Sequence, residues 1–327
     1  MAQFILRRVL LFIPTLIATS IVSFIIIQLP PGDFLTSYVA QLAAQGETVD
    51  NAAIQSLRER YGLGQPVHIQ YLKWIGGMLR GDFGHSLEWN APVSELIASR
   101  MTLTFLLAFA TLIFTWVVSI PIGIYSAVKQ YSVGDYLATF FGFLGLAIPD
   151  FLLALVLMWI AFSYFGQSVG GLFSPQYADA AWSMARVWDF LKHIWIPIIV
   201  LGTSGTAGLI RIMRANLLDE LYRPYVETAR AKGLSEWRML IKYPVRVALN
   251  PFISTIGYTL PFLISGSIIV SVVLNLPTAG PMLLRALQSQ DMYLAGAYIF
   301  LLSLLTVIGT LISDIMLAWL DPRIRLG

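Results

Sequence analysis

Few side chains in this 327-residue sequence can do chemistry, and their spacing matches no familiar catalytic arrangement. With no cysteine, disulfides, thiolate metal sites and cysteine nucleophiles are all ruled out. His68, His85 and His193 stand in polar segments without the i, i+4 partners that a helical metal site needs. The nearest approach to a serine-hydrolase turn, Gly84-His85-Ser86-Leu87-Glu88, carries Glu where the second glycine must relieve the strained turn. A phosphate-binding loop needs glycines followed by Lys and Ser or Thr, so that backbone amides and an ammonium surround the phosphates. The run Gly202-Thr203-Ser204-Gly205-Thr206-Ala207-Gly208 lacks the lysine and lies in an apolar stretch, where small residues let helices approach closely. The chain reads as a non-enzyme.

The elements that must position these residues are membrane helices. Hydrophobic residues make up 57% of the chain and charged ones 12%, with a mean hydropathy of +0.74, a composition no soluble domain of this size could solvate. The expected fold is an all-α integral membrane protein of about six transmembrane helices. Helix one occupies residues 1–29 with its cytoplasmic N-terminus; Arg7 and Arg8 precede an apolar run too long for a signal peptide, so it reads as an uncleaved anchor. A polar external insertion is expected over 30–100. A five-helix core over 101–327 has spans at Thr102–Val128, Tyr136–Phe165, Ile194–Ile212, Pro251–Asn275 and Leu294–Leu320, with a short polar loop over Gly166–His193. With the N-terminus inside, 13 of the 21 Lys and Arg fall on the cytoplasmic side, eight of them between Arg211 and Arg246, so both termini are expected in the cytoplasm.

Asp150 and Asp314 are the acids at membrane depth, where a carboxylate needs a cavity or a partner. Asp150 follows Pro149 and reads equally as a cap for the resumed helix or as lining of a solute path. A structural pairing is expected for Asp314. Pro121, Pro149 and Pro261 fall inside predicted spans.

The longest cytoplasmic stretch holds the most information. Tyr225–Lys232 is built of good helix formers, and Gly233 suits the left-handed position that ends a helix. Ser235 can cap a second helix through Glu236–Ile241, which Pro244 interrupts. Two short helices meeting at a glycine, with exposed apolar and basic groups, suit docking into another protein's groove. A basic loop that only fixes topology or touches anionic headgroups is the plainer reading.

Glu227-Thr228-Ala229 followed by Gly233 resembles the Glu-Ala-Ala, three residues, Gly loop of permease subunits in bacterial binding-protein-dependent ABC importers, with Thr228 in place of the second Ala. Tyr225–Pro251 is similar to the dipeptide, oligopeptide and nickel branch, and Arg246-Val247-Ala248-Leu249-Asn250-Pro251 keeps all but the Asn of its Arg-Asn-Ala-Leu-x-Pro pattern. Arg60-Tyr61-Gly62-Leu63 through Gly81-Asp82-Phe83-Gly84 resembles that branch's external segment, and Leu320-Asp321-Pro322-Arg323-Ile324-Arg325 its closing motif. Asn275-Leu276-Pro277-Thr278-Ala279-Gly280 departs from the usual Pro-Gly-x-Gly, and Ser271 stands where an acid is common. The resemblance implies that a cytoplasmic coupling-helix loop over 213–250 inserts into an ATPase subunit, with Glu227, Thr228, Ala229, Gly233 and Leu234 as its coupling residues. It also implies a second homologous permease subunit, two ATP-binding subunits that carry ATP and Mg²⁺, an external solute-binding protein and a bilayer location. No nucleic acid, and no cofactor or metal in this chain, is expected. The solute would be a peptide by default, with nickel, oligosaccharides and opine-like compounds as alternatives. An ion-gradient-driven transporter or channel working alone is the rival, and a structural scaffold a third reading.

Overall fold

The computed structural model describes residues 2–28, 55, 64–86, 88–166, 170–178, 180–255, 268–289 and 291–320. They form helices α1 (Ala2–Gln28), α2 (Val67–Leu79), α3 (Val93–Val128), α4 (Val133–Ala147), α5 (Asp150–Phe165), α6 (Met184–Leu221), α7 (Pro224–Ala231), α8 (Glu236–Lys242), α9 (Pro244–Ala248), α10 (Ile268–Val273), α11 (Ala279–Gln288) and α12 (Met292–Leu320). A two-residue hairpin, β1 (His85–Ser86) and β2 (Ala91–Pro92), precedes α3. Of the described helices, α1, α3, α6 and α12 are each long and apolar enough to cross a bilayer, and α4 with α5 qualifies as a bent pair. Much of the predicted span over Pro251–Asn275, including Pro261, lies outside the described residues; residues 250–255 are helical and α10 ends the stretch.

The chain divides into two compact units. The first comprises Met1–Leu6, Phe105–Pro277 and Thr306–Gly327. Its core is a cluster of Ala127, Met213, Leu217, Leu240, Val245, Ala248 and Phe252, which draws α3, α6, α8 and α9 together. The helices pass closely where side chains are missing. A Cβ on Gly202 would lie 2.7 Å from the Phe114 ring, and one on Gly123 would lie 2.6 Å from the Met213 side chain. The glycine-rich run of α6 thus serves packing at Gly202, whereas Gly208 meets nothing within 4 Å. The end of α10 explains the departure from Pro-Gly-x-Gly. Asn275 takes the left-handed conformation at φ 49°, its N–H donates to the Val272 carbonyl at 3.1 Å, and that of Leu276 donates to Ser271 at 2.7 Å. Asn is the usual substitute for glycine at such a cap.

The second unit comprises Arg7–Thr104 and Thr278–Leu305. Helix α2 buries Gln70, Trp74 and Met78, one residue per turn, with Phe24 of α1 set edge-on to the Tyr71 ring and tilted against that of Trp74. Gly296 of α12 lies against Trp74, where a Cβ would come within 2.9 Å of the indole. Ser86, fully buried, donates its hydroxyl to Asp291 at 2.5 Å, and the other Asp291 oxygen accepts the Leu294 N–H at the start of α12. Burial pushes the Asp291 carboxyl above the usual carboxylate range. Ser86 is therefore a structural hydroxyl, and His85 turns away to Asn90.

Three boundaries differ from the expectations. Helix α3 begins at Val93, inside the predicted insertion, because β2 leads directly into a first turn carrying Glu95. The predicted loop Gly166–His193 is helical from Met184: Ser183 accepts the Arg186 N–H at 3.3 Å, and Asp189 binds the amide and hydroxyl of Ser174 at 2.7 and 2.6 Å. Polar residues that lower the hydropathy are here the hydrogen-bonded first turns of a membrane helix. His193, read as lacking an i, i+4 partner, stands one turn after Asp189 and bonds its carbonyl at 2.7 Å. Finally, the expected span Tyr136–Phe165 is interrupted at Pro149, as the resumed helix implied, but by a bend of 103° between α4 and α5. Pro149 has no N–H to donate across the junction, and Ile148 before it is extended at ψ 122°.

Candidate functional site

The site is the segment between α6 and residue 250. Pro224 opens α7 at its first position, where a missing N–H costs nothing. The helix ends two turns later at Ala231, as the sequence predicts. Gly233 is left-handed at φ 76°; its N–H donates to the Arg230 carbonyl at 2.9 Å and that of Leu234 to Ala229 at 3.3 Å. This is a complete Schellman closure, with Leu234 folding back on the helix it terminates. Arg230 reaches across the turn to grip both oxygens of Glu236 at 2.9 and 3.3 Å. Both partners are largely exposed, so the pair orients more than it stabilises. Ser235 occupies the expected N-cap of α8, but its hydroxyl makes no cap hydrogen bond. Tyr243 breaks the helix and Pro244 starts α9.

Adjacent residues of α8 face two cores. Met239 joins Val226 and Ala229 of α7, with Leu234 and Tyr243 packed against them. Leu240 enters the larger cluster with Met213 and Leu217 of α6 and Ala127 of α3. The α7–α8 pair is thus packed directly against two long apolar helices through Leu240.

The five residues predicted for this site divide by exposure. Glu227 and Thr228 face solvent, with the Thr228 hydroxyl bonded back to Pro224 at 2.9 Å. Ala229 is buried and Leu234 half-buried, so both hold the pair together, and Gly233 makes the turn. Sequence reasoning missed the aromatic side of the surface: Trp237 is 67% exposed, flanked by exposed Arg238 and Ile241. Exposed Trp and Arg are what protein interfaces enrich. Tyr225 donates to Glu220; burial and that carboxylate push its phenol upward in pKa. Asp150 belongs to none of these contacts. It is half-buried in the first turn of α5, one residue after the N-cap Pro149, where a carboxylate suits the helix dipole. Asp314 is half-buried in α12.

A second missed pair ties α4 to α6. Arg214 donates to both oxygens of Asp135 at 2.8 and 2.9 Å, Asp135 also accepts the Tyr131 N–H at 2.9 Å, and its own N–H donates to Ser132 at 3.2 Å. Ser132-Val133-Gly134-Asp135 before an apolar run matches the spacing of a capping box, a signal that marks the start of α4 but not the Arg214 partner.

Residues 119–326 match the family described as the binding-protein-dependent transport system inner membrane component, and residues 1–108 match the N-terminal membrane component of the same systems. The chain belongs to this family. Among its relatives is the oligopeptide transport system permease protein AppB of Bacillus subtilis, 38% identical over 327 residues that cover 99% of this chain and 100% of the relative. The glutathione transport system permease protein GsiC of Salmonella typhimurium is 33% identical over 325 residues, 99% of each chain. The dipeptide transport system permease protein DppB of Alkalihalophilus pseudofirmus is 30% identical over 344 aligned positions, 99% of this chain and 100% of the relative. The permease is thus the non-catalytic, multi-pass inner-membrane component of an ABC importer, a class that works with an external solute-binding protein and ATPase partners.

Proposed function

We propose that this permease carries peptides, that it forms half of the translocation path beside a second permease, and that the α7–Gly233–α8 pair is the surface through which one of two separate ATPase subunits moves it. Both termini and this pair face the cytoplasm, and the partners carry the ATP and Mg²⁺. The relatives named for oligopeptides, dipeptides and glutathione support the solute class. One observation carries the docking role: a pair closed by a left-handed glycine exposes Glu227, Thr228, Trp237 and Arg238 while Met239 binds its two helices together and Leu240 packs it against α6 and α3.

The test is purification of the complex from native membranes, followed by uptake of a labelled tripeptide into vesicles. Uptake is expected to require internal ATP and to persist when proton and sodium gradients are collapsed, and P-loop subunits are expected to copurify. Trp237→Ala should lower copurification of those subunits and cut uptake at least tenfold, about 1.4 kcal/mol, within the range of an interfacial tryptophan. Gradient-driven uptake by the chain alone would overturn the proposal.

A further inference from the structure

We infer that the second unit carries a carboxylate-accepting pocket, formed by Lys73 and Arg80 above a floor of Gly76 and Gly77, and that it receives an acidic side chain of the solute-binding protein. The inference rests on the external placement of this unit proposed above. It begins with the periodicity of α2. Gln70, Trp74 and Met78 bury one stripe of the helix, which leaves Lys73, Gly76, Gly77 and Arg80 on a neighbouring stripe. Since neither glycine has a side chain, the stripe sinks between its two cations into a cavity of ≈ 390 Å³ that Asp82 and Tyr293 also line. A Cβ at Gly76 would meet nothing within 4 Å, so the space beside that residue is open.

The charges are unevenly committed. Lys73 and Arg80 are exposed, and neither forms a salt bridge among the described residues. The single acid, Asp82, is used internally: its carboxylate accepts the Gly84 N–H at 2.9 Å and shapes the turn that brings Gly84 against the Tyr293 ring. Two cations against one carboxylate leave the pocket with a net positive charge. Lys73 and Arg80 stand seven residues apart, about 10 Å along the helix, a gap their long side chains span to converge on one carboxylate.

The strength of such a site selects its occupant. Exposed ion pairs add little to affinity and act mainly on the encounter rate and the docking register. That suits a protein that must dock and leave in every transport cycle. Selecting a small solute would need buried, desolvated partners, which Lys73 and Arg80 are not.

The experiment uses the assembled transporter in liposomes with its binding protein and reads ATPase stimulation against binding-protein concentration. Lys73→Glu with Arg80→Glu is expected to raise the half-saturating concentration about tenfold at low salt, with basal ATPase unchanged. The difference should shrink at roughly 0.5 M salt, where the Debye length is about 4 Å. Gly76→Leu, which fills the hollow without changing charge, should raise it too, and Lys73→Arg should not. An unchanged half-saturation in the charge-reversed transporter overturns the inference. So does an unchanged binding-protein response with selective loss of free-carboxyl peptides relative to their amides, which would assign the pocket to the solute. Wild-type ATP-dependent uptake, read in the same liposomes, reports separately on the function proposed above.

Discussion

At Gly233 the decisive quantity is a torsion angle. The residue sits at φ 76° with nothing within 4 Å of where a Cβ would lie, so a substitution there meets strain without a clash. An ordinary L-residue pays about 1–2 kcal/mol for the left-handed region, a β-branched one more, and Asn least because it visits that region routinely. The same chain uses Asn275 in the same geometry. Gly233→Asn is therefore expected to keep most uptake activity, whereas Gly233→Val should abolish uptake and release the ATPase subunits on purification. Equal activity of the two variants would mean that the turn does not set the docking geometry. The divided fates of Glu227, Thr228, Ala229 and Leu234 belong to the same scale: a sequence motif names neighbours in the chain, and a helix turns each residue about 100° from the last, so Glu227 and Thr228 share the exposed face while Ala229 turns inward.

At the scale of elements, the Asp135–Arg214 pair is the polar fastening between α4 and α6. Removing one partner of a buried pair strands the other, at about 3–5 kcal/mol when both are fully buried. The Arg214 side chain keeps 27% of its exposure, so roughly 2–3 kcal/mol is expected for Asp135→Asn, read as a lower melting midpoint of the purified complex. Exchanging the charges should not restore it, because Asp135 also accepts the Tyr131 N–H and stands in the first turn of α4, where an arginine opposes the helix dipole. Full recovery in the exchanged double variant would reduce the site to a simple ion pair. Element types were legible in the sequence wherever propensity and hydropathy agreed, as in α7, its glycine stop and the short α8, whereas Pro244 reads in the sequence only as an interruption and opens α9 in the structure. They were not legible at α3, which starts at Val93 directly after β2, nor at α6, whose polar start is hydrogen-bonded through Ser183 and Asp189, nor at Asp135, whose partner lies 79 residues away. Hydropathy counts polarity and is blind to whether a polar group already has its partner.

For the whole molecule the open question is whether the bent pair α4–α5 crosses the bilayer. At about 1.5 Å per residue, its 15 and 16 residues give arms of roughly 22–24 Å, each short of a ~30 Å hydrocarbon layer. Together they suffice to cross, yet a 103° bend could also return the chain to the side it left. Basic charge next to the pair is sparse on both sides: Lys129 precedes α4, residues 166–183 contain no Lys or Arg, and Arg186 and Lys192 follow at the start of α6. The strongly basic stretch over residues 211–246, from the end of α6 onward, is what favours a crossing, because a cytoplasmic Lys129 and a cytoplasmic basic stretch require α4–α5 and α6 to cross in turn. The carbonyls freed at Pro149 must then be satisfied by protein or by a water-lined cavity. Because the sequence has no cysteine, single cysteines report topology without background. With a membrane-impermeant maleimide, His68→Cys and Gln176→Cys are expected to label in intact cells, and Lys129→Cys only after permeabilisation. Labelling of positions 129 and 176 from the same side would make α4–α5 a re-entrant hairpin and place every element from α6 onward on the opposite face. Labelling at 68 only after permeabilisation would put the second unit, with its Lys73–Arg80 pocket, in the cytoplasm, beyond the reach of an external binding protein.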